Sequence, residues 1–280
     1  MAKRTWKLPK RLIDIHSHLG KDDRDGSKAI EVMDKFNIEA RLVMGLPWKT
    51  EAAARSNECC LRASHKYPGR LVAGVCADPR EGRKAIDLIR SFHDEGVRVV
   101  KLFPNLGYFP DDPGVRPFFD AVAELRMAVL SHCGWLMPMP GQSYASYYSH
   151  PGRFEKLVRI YPDTIFIFAH MGGIAGFLET IMLTTRTPNA YVDTAPGQGL
   201  WVLESAGPMA ASVPPAKLMW GDDSMPLPEY RDCYVKALAK IGYGPHFDKI
   251  FYANARGILE RIGALAPGKP AAPKRPKKRK

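Results

Sequence analysis

Short runs of β-branched and other apolar residues recur along the chain, and a longer segment with helical spacing follows most of them. Eight such runs predict strands: Arg11 to His16, Ala40 to Gly45, Arg70 to Cys76, Val97 to Leu102, Ala128 to His132, Thr164 to His170, Ala190 to Asp193 and Lys217 to Gly221. Between them, amphipathic spacing predicts helices over Ala29 to Phe36, Glu51 to Tyr67, Arg83 to Glu95, Val115 to Leu125 and Arg153 to Ile160. Strand and helix in alternation imply a parallel sheet with crossover helices. Eight strands suit a closed (β/α)8 barrel, the TIM-barrel α/β architecture, better than an open doubly wound sheet. No G-x-G-x-x-G follows the first run, which argues against dinucleotide binding. The apolar stretch from Ile165 to Leu183 is interrupted by His170, glycines and Glu179, so it predicts a buried strand and then a helix rather than a membrane span.

A chain of 280 residues can enclose one large core, and a single barrel domain over residues 12–265 accounts for it. The net charge of +12 changes meaning once it is located. Lys3, Arg4, Lys7, Lys10 and Arg11 lie in the first eleven residues, and seven more lysines and arginines follow from Lys269, with no acid in either stretch. These two ends carry the whole excess, and the body between them is neutral. The N-terminal arm (1–11) and the Lys/Arg/Pro tail (266–280) are therefore set apart, and the tail is expected to be disordered and solubilising. Nucleic acid is expected to bind weakly, through the tail, if at all. Five cysteines without a C-x-x-C spacing, and a start without an apolar leader, point to a reducing, cytoplasmic setting with no membrane partner.

The ends of the predicted strands carry the chemistry. On a strand, Asp14, His16 and His18 share one face; on a helix the two histidines would point roughly 200° apart and could not hold one ion. Lys101, His132, His170, Asp193 and the Asp222–Asp223 pair also fall at strand ends, which a barrel brings to one mouth. Taken singly, each histidine is equally well read as a buried ring bonded to a backbone carbonyl. Together, imidazole nitrogens and a carboxylate oxygen suit zinc, manganese or iron with a position left open for water. Such an ion lowers the pKa of its water from about 15.7 toward about 7.

Asp14-Ile-His-Ser-His18, Ser131-His132, Ala169-His-Met-Gly-Gly173, Trp220-Gly-Asp-Asp-Ser224 and Asn254-Ala-Arg-Gly-Ile-Leu259 occur in this order, and the chain resembles the amidohydrolase superfamily, more narrowly its amidohydrolase 2 branch. The resemblance spans about Leu12 to Ile262. It implies His16, His18, His132 and Asp223 as ligands of one divalent metal, zinc first and manganese or iron as alternatives. Asp222 is the other candidate for the aspartate, because only one of two neighbours on a strand faces the axis. The resemblance also implies that His170 polarises substrate or shuttles a proton, and that Asp223 accepts one. Lys101 becomes a substrate-facing amine, although in binuclear relatives a lysine there is carbamylated and bridges two metals. The implied activity is a metal-dependent hydrolase, in which metal-bound hydroxide attacks an amide, lactone or ester carbonyl. Its alternatives are non-oxidative decarboxylation of an aromatic or unsaturated acid and, in another class, a non-catalytic binding barrel.

The expected partner is a small molecule, aromatic or lactone in type. Trp48, Asn105, Tyr108 and Trp135 are candidate pocket residues with Lys101 and His170. The long segment from Cys133 to His150, rich in aromatics, either lines that pocket, packs on its own barrel or meets a second subunit in a homodimer. Cys133 beside His132 is a poor nucleophile pair, since neighbours on a strand point apart.

Overall fold

All eight predicted strands form, and they pair in chain order. The computed structural model describes residues 6–20, 22–47, 55–136, 144–224 and 227–267. The strands are β1 (Leu12–His18), β2 (Ile38–Met44), β3 (Leu71–Cys76), β4 (Val99–Leu102), β5 (Ala128–Ser131), β6 (Phe166–Phe168), β7 (Ala190–Asp193) and β8 (Leu218–Met219). Every pairing from β1 to β8 is parallel. Ile15 N–H then donates to Trp220 O at 3.2 Å, bringing the last strand back to the first, and the result is a nearly closed TIM barrel. Among the described residues the α-helices are α1 (Ser27–Phe36), α2 (Ser56–Lys66), α3 (Arg83–Asp94), α4 (Arg116–Glu124), α5 (Glu155–Ile160), α6 (Gly173–Arg186), α7 (Gln198–Ser205), α8 (Leu227–Lys240) and α9 (Asn254–Arg261). None is long and apolar enough to cross a membrane.

The pleat sorts the core into two layers. Val99, Leu130, Ile167 and Met219 meet Ile13 and Ile15 inside the barrel, while their chain neighbours Val100, Val129, Phe166 and Leu218 pack with Met33, Ile89 and Phe118 beneath the helices. Strands buried on both faces must be apolar at nearly every position, which is why their runs stood out in the sequence.

Three departures from the expected strands all occur at the mouth. On β1, Asp14 lies opposite Arg41 and Ser17 opposite Val43, so three steps answer two. This bulge resets the alternation: Asp14, expected on the face of His16 and His18, packs against Arg41 instead. β6 stops at Phe168 rather than His170, because His170 and Met171 both take left-handed backbone (φ 57°) in a tight turn. β8 is two residues long, and beyond it Gly221 passes so close to β1 that a Cβ would lie 2.7 Å from the Cβ of His16. Elsewhere, Trp6 of the basic arm packs on the body, its ring 6.3 Å from that of Phe247. The tail beyond residue 267 lies outside the described residues.

Candidate metal centre and active site

His16 and His18 end β1, and Asp223 follows β8. Nδ1 of His18 lies 2.8 Å from Met44 O and Nδ1 of His16 lies 2.9 Å from Asp193 Oδ2. Both partners can only accept, so each Nδ1 carries the proton and each Nε2 presents a lone pair. Those two Nε2 atoms stand 3.5 and 3.4 Å from Asp223 Oδ1, and the three ligand atoms lie within 4.8 Å of one another. Three acceptors facing one another are unfavourable without a proton or a cation among them. Two imidazole nitrogens and a carboxylate oxygen are a zinc, manganese or iron donor set, so these residues fit a divalent ion. Electrostatics agrees. Burial, with Lys101 adding to it, holds His16 well below the ordinary histidine range and His18 down to about 3, which keeps both rings neutral as ligands must be. Burial raises Asp223 to about 7, against the pull of Lys101.

A second, buried cluster holds this arrangement in place. Arg41 on β2 reaches Asp222 Oδ2 at 2.5 Å and sits in ion-pair contact with Asp14 Oδ2 at 2.9 Å. Asp14 Oδ1 accepts the backbone N–H groups of His16 (3.1 Å) and Asp222 (3.0 Å). Ser224 Oγ contacts both backbone groups of His18, accepting from N–H at 2.7 Å and donating to the carbonyl at 2.6 Å. Asp222 and Ser224 thus anchor to β1 from either side of Asp223, which adopts left-handed backbone (φ 47°) and turns toward the histidines. The doubled aspartate divides its labour: Asp222 pairs with Arg41, and Asp223 meets the rings. Left-handed backbone at a non-glycine costs on the order of 1–3 kcal/mol and persists only where its surroundings enforce it.

Lys101, His132, His170 and Asp193 complete the mouth. Lys101 Nζ is fully buried, 2.9 Å from His16 Nε2, and burial lowers it to about 8. His170 Nε2 faces His132 Nδ1 at 3.2 Å, while His132 Nε2 faces Trp135 O at 3.1 Å. The expected fourth ligand is therefore turned toward His170 and stands outside the three-residue cluster. Burial holds His132 well down and His170 down to about 4, the latter against the carboxylate of Asp193. Asp193 Oδ1 accepts from His170 N and Ala195 N, each at 2.9 Å, so this one carboxylate orients His16 and pins the His170 turn.

The amidohydrolase 2 family model, described as amidohydrolase, matches residues 13–261. The chain belongs to the amidohydrolase family. It is an enzyme of that superfamily, whose members are generally metal-dependent. No curated protein matches the chain. Among solved structures, an uncharacterised TIM-barrel protein of Bordetella bronchiseptica is 18% identical, with a TM-score of 0.67 over 90% of this chain and 99% of that one. A 4-oxalomesaconate hydratase of Rhodopseudomonas palustris is 16% identical, with a TM-score of 0.61 over 90% and 97%. A Pseudomonas putida protein assigned as a 2-pyrone-4,6-dicarboxylic acid hydrolase is 17% identical, with a TM-score of 0.61 over 92% and 99%. At these identities the likeness is one of fold.

The remaining candidate residues of this amidohydrolase separate. Asn105 and Tyr108 are buried in the segment after β4, and the side-chain amide and the hydroxyl lack hydrogen-bond partners among the described residues. Trp135 is 71% exposed. Trp48 lies outside the described residues. Cys133 is buried, its thiol pushed up by desolvation, which leaves it inert as a nucleophile. Arg41 and Ser224 were not singled out from the sequence. Arg41 left one signal: a charge inside a strand with buried faces demands an opposite charge nearby, and Asp14 occupies the matching place in the neighbouring strand.

Proposed function

We propose that this amidohydrolase is a metal-dependent hydrolase acting on an amide, lactone or ester carbonyl. The convergence of His16 Nε2, His18 Nε2 and Asp223 Oδ1 supports this most. These three residues would hold one divalent ion, zinc first and manganese or iron otherwise, and His132 would join them as the fourth ligand only by turning from its contact with His170. When bound, such an ion supplies hydroxide near neutral pH by acidifying water, and it polarises a carbonyl. Asp223 takes the proton and returns it to the leaving group. His170, held by Asp193, stabilises the negative charge that develops on the substrate oxygen. Lys101 orients the substrate from inside the mouth, where Asn105, Tyr108 and Trp135 shape the pocket.

A second reading rests on Lys101. A buried amine beside the site favours a substrate that carries a carboxylate, and so non-oxidative decarboxylation of an aromatic or unsaturated acid, with Asp223 or His170 delivering a proton to carbon. Metal analysis of wild type and His132→Ala, followed by a panel of lactones, amides and aromatic acids, separates these readings. Hydrolysis without carbon dioxide release supports the first and the reverse supports the second. Full metal content in His132→Ala removes His132 from the ligand set, and no metal-dependent turnover of any kind refutes both.

A further inference from the structure

The outer helices of this barrel are mostly charged where they meet water: α2 shows Glu58, Arg62 and Lys66, and α3 shows Arg83, Asp87 and Asp94. α6 does not follow them. Ile174, Leu178 and Met182, four residues apart on one stripe, are 56%, 61% and 56% exposed. On α7, which packs beside α6, Trp201 is 57% exposed, and Met209 shortly after it is 51% exposed. A helix apolar on both its inner and outer faces is the mark of one that is covered in the assembled protein.

We infer that the α6–α7 face is the two-fold interface of a homodimer of this chain. Three observations select a second copy as the occupant. The first is area. An exposed aromatic ring presents roughly 150–250 Å², so half-exposed side chains of this kind offer about 100 Å² each. Five of them give on the order of 500 Å² per copy and about 1,000 Å² for the pair, the size a specific interface must reach. The second is shape. A cavity of about 320 Å³, lined by Met182 and Leu183 together with Glu155, Arg159, Glu179 and Arg186, lies between α5 and the C-terminal end of α6, while the projecting Ile174 lies at the N-terminal end. A two-fold axis near Leu178 sets the helices antiparallel and brings each cavity to the other copy's Ile174, the self-complementary pairing that such symmetry demands. The third is charge. Glu155, Arg159, Glu179 and Arg186 wall that cavity beside Met182, and Glu204 is exposed on α7, a mixed border that suits a like surface, whereas a membrane-seeking face is rich in lysine and arginine.

The interface would also reach the mouth. Gln198, the first residue of α7, accepts from Trp135 N–H and donates to Trp135 O, both at 2.8 Å, and Trp135 O also faces His132. Fixing α7 against a second copy therefore steadies the segment that holds His132. The inference does not depend on which reaction the site performs.

Sedimentation velocity of the full-length protein over a dilution series tests it, with Leu178→Asp, Trp201→Glu and, as a control on a charged face, Asp87→Asn. The expected result is a wild-type dimer at micromolar concentration, retained in Asp87→Asn. In Leu178→Asp and Trp201→Glu it should weaken by about thirtyfold or more, with circular dichroism unchanged. Two exposed positions on different helices guard against one variant failing to fold. A wild-type monomer at micromolar concentration overturns the proposal, as does a dimer that survives both substitutions. So does a monomer that instead binds vesicles of neutral or anionic phospholipid.

Discussion

The two ends of the barrel treat charge in opposite ways. At the end where the strands begin, Glu39 accepts from Arg256 at 2.9 Å and Tyr252 at 3.0 Å and pairs with Arg11 at 2.9 Å, so one carboxylate meets three donors while still partly open to water. At the mouth, three acceptors meet and the buried Lys101 amine reaches only one of them, His16 Nε2, while Asp223 is held in left-handed backbone. The first arrangement satisfies itself. The second is completed only by something from outside, and this is the usual division between the stabilising and catalytic faces of such barrels. Substitutions at the two ends should therefore separate activity from stability.

The sharpest separation is expected from Asp223→Asn. It should lower turnover by about 10²–10⁴-fold if, as proposed, the residue both binds the ion and moves a proton. The metal-free protein should be as stable as wild type or more so, since a partly buried carboxylate facing two ring lone pairs has lost its charge. Thermal unfolding with and without added zinc checks this: wild type should gain about 2.7 kcal/mol at a hundredfold excess over Kd, and the variant much less. A metal-free variant clearly less stable than metal-free wild type would show that the mouth is not strained as described.

Arg41→Met blurs the comparison deliberately, because Arg41 serves structure at the catalytic end. Leaving Asp14 and Asp222 buried without a cation should cost about 3–5 kcal/mol by urea unfolding. Displacing Asp223 indirectly should weaken metal binding by about 10–100-fold. Pairing Arg41→Met with Asp222→Asn should restore part of the stability but not the metal affinity, an outcome that a purely structural role for Arg41 would not produce.

Acid provides the third separation. His18 and His170, at about 3 and 4, lie below the ordinary histidine value of 6.5 because burial disfavours their charged forms. The folded state therefore binds fewer protons than the unfolded chain below pH 6.5. The stability these rings contribute is complete above that pH and is lost as it falls toward 4, at up to about 1.4 kcal/mol per pH unit for each ring. Asp223, raised to about 7, acts in the opposite sense: its contribution is present below about 3.8 and is lost as the pH rises through 7. Metal-free wild type should thus lose stability between pH 6.5 and 4, His170→Gln should lose less, and Asp223→Asn should lose more. Urea midpoints across that range, measured in chelator, would read all three.

Much of this was legible in the sequence, for identifiable reasons. Strands covered on both sides are written as apolar runs, and His16 and His18 carry their spacing within three residues. What escaped depended on register and backbone hand. One extra residue in β1 turns Asp14 away from the histidines without altering composition. His170 reads as the end of an apolar run, yet Asp193 holds it in a turn that no local pattern marks. Alternation required Asp222 and Asp223 to part company, but only the long-range contact with Arg41 shows what Asp222 does. Distant partners of this kind leave at most a hint in one dimension, such as a lone arginine inside a buried strand.

The smallest effect is expected at the opposite end. Glu39→Gln keeps the shape and one acceptor oxygen but removes the other acceptor and the charge that Arg11 and Arg256 share. Both contacts are partly solvated, so the loss should be about 1 kcal/mol, a fall of about 2–4 °C in Tm. Metal content and turnover should be unchanged, because Glu39 sits at the start of β2 and the mouth is built on the far ends of the strands. Loss of metal from Glu39→Gln would mean that strain at one end is transmitted through the barrel core to the other, and the division of the molecule into a stabilising and a catalytic face would no longer hold.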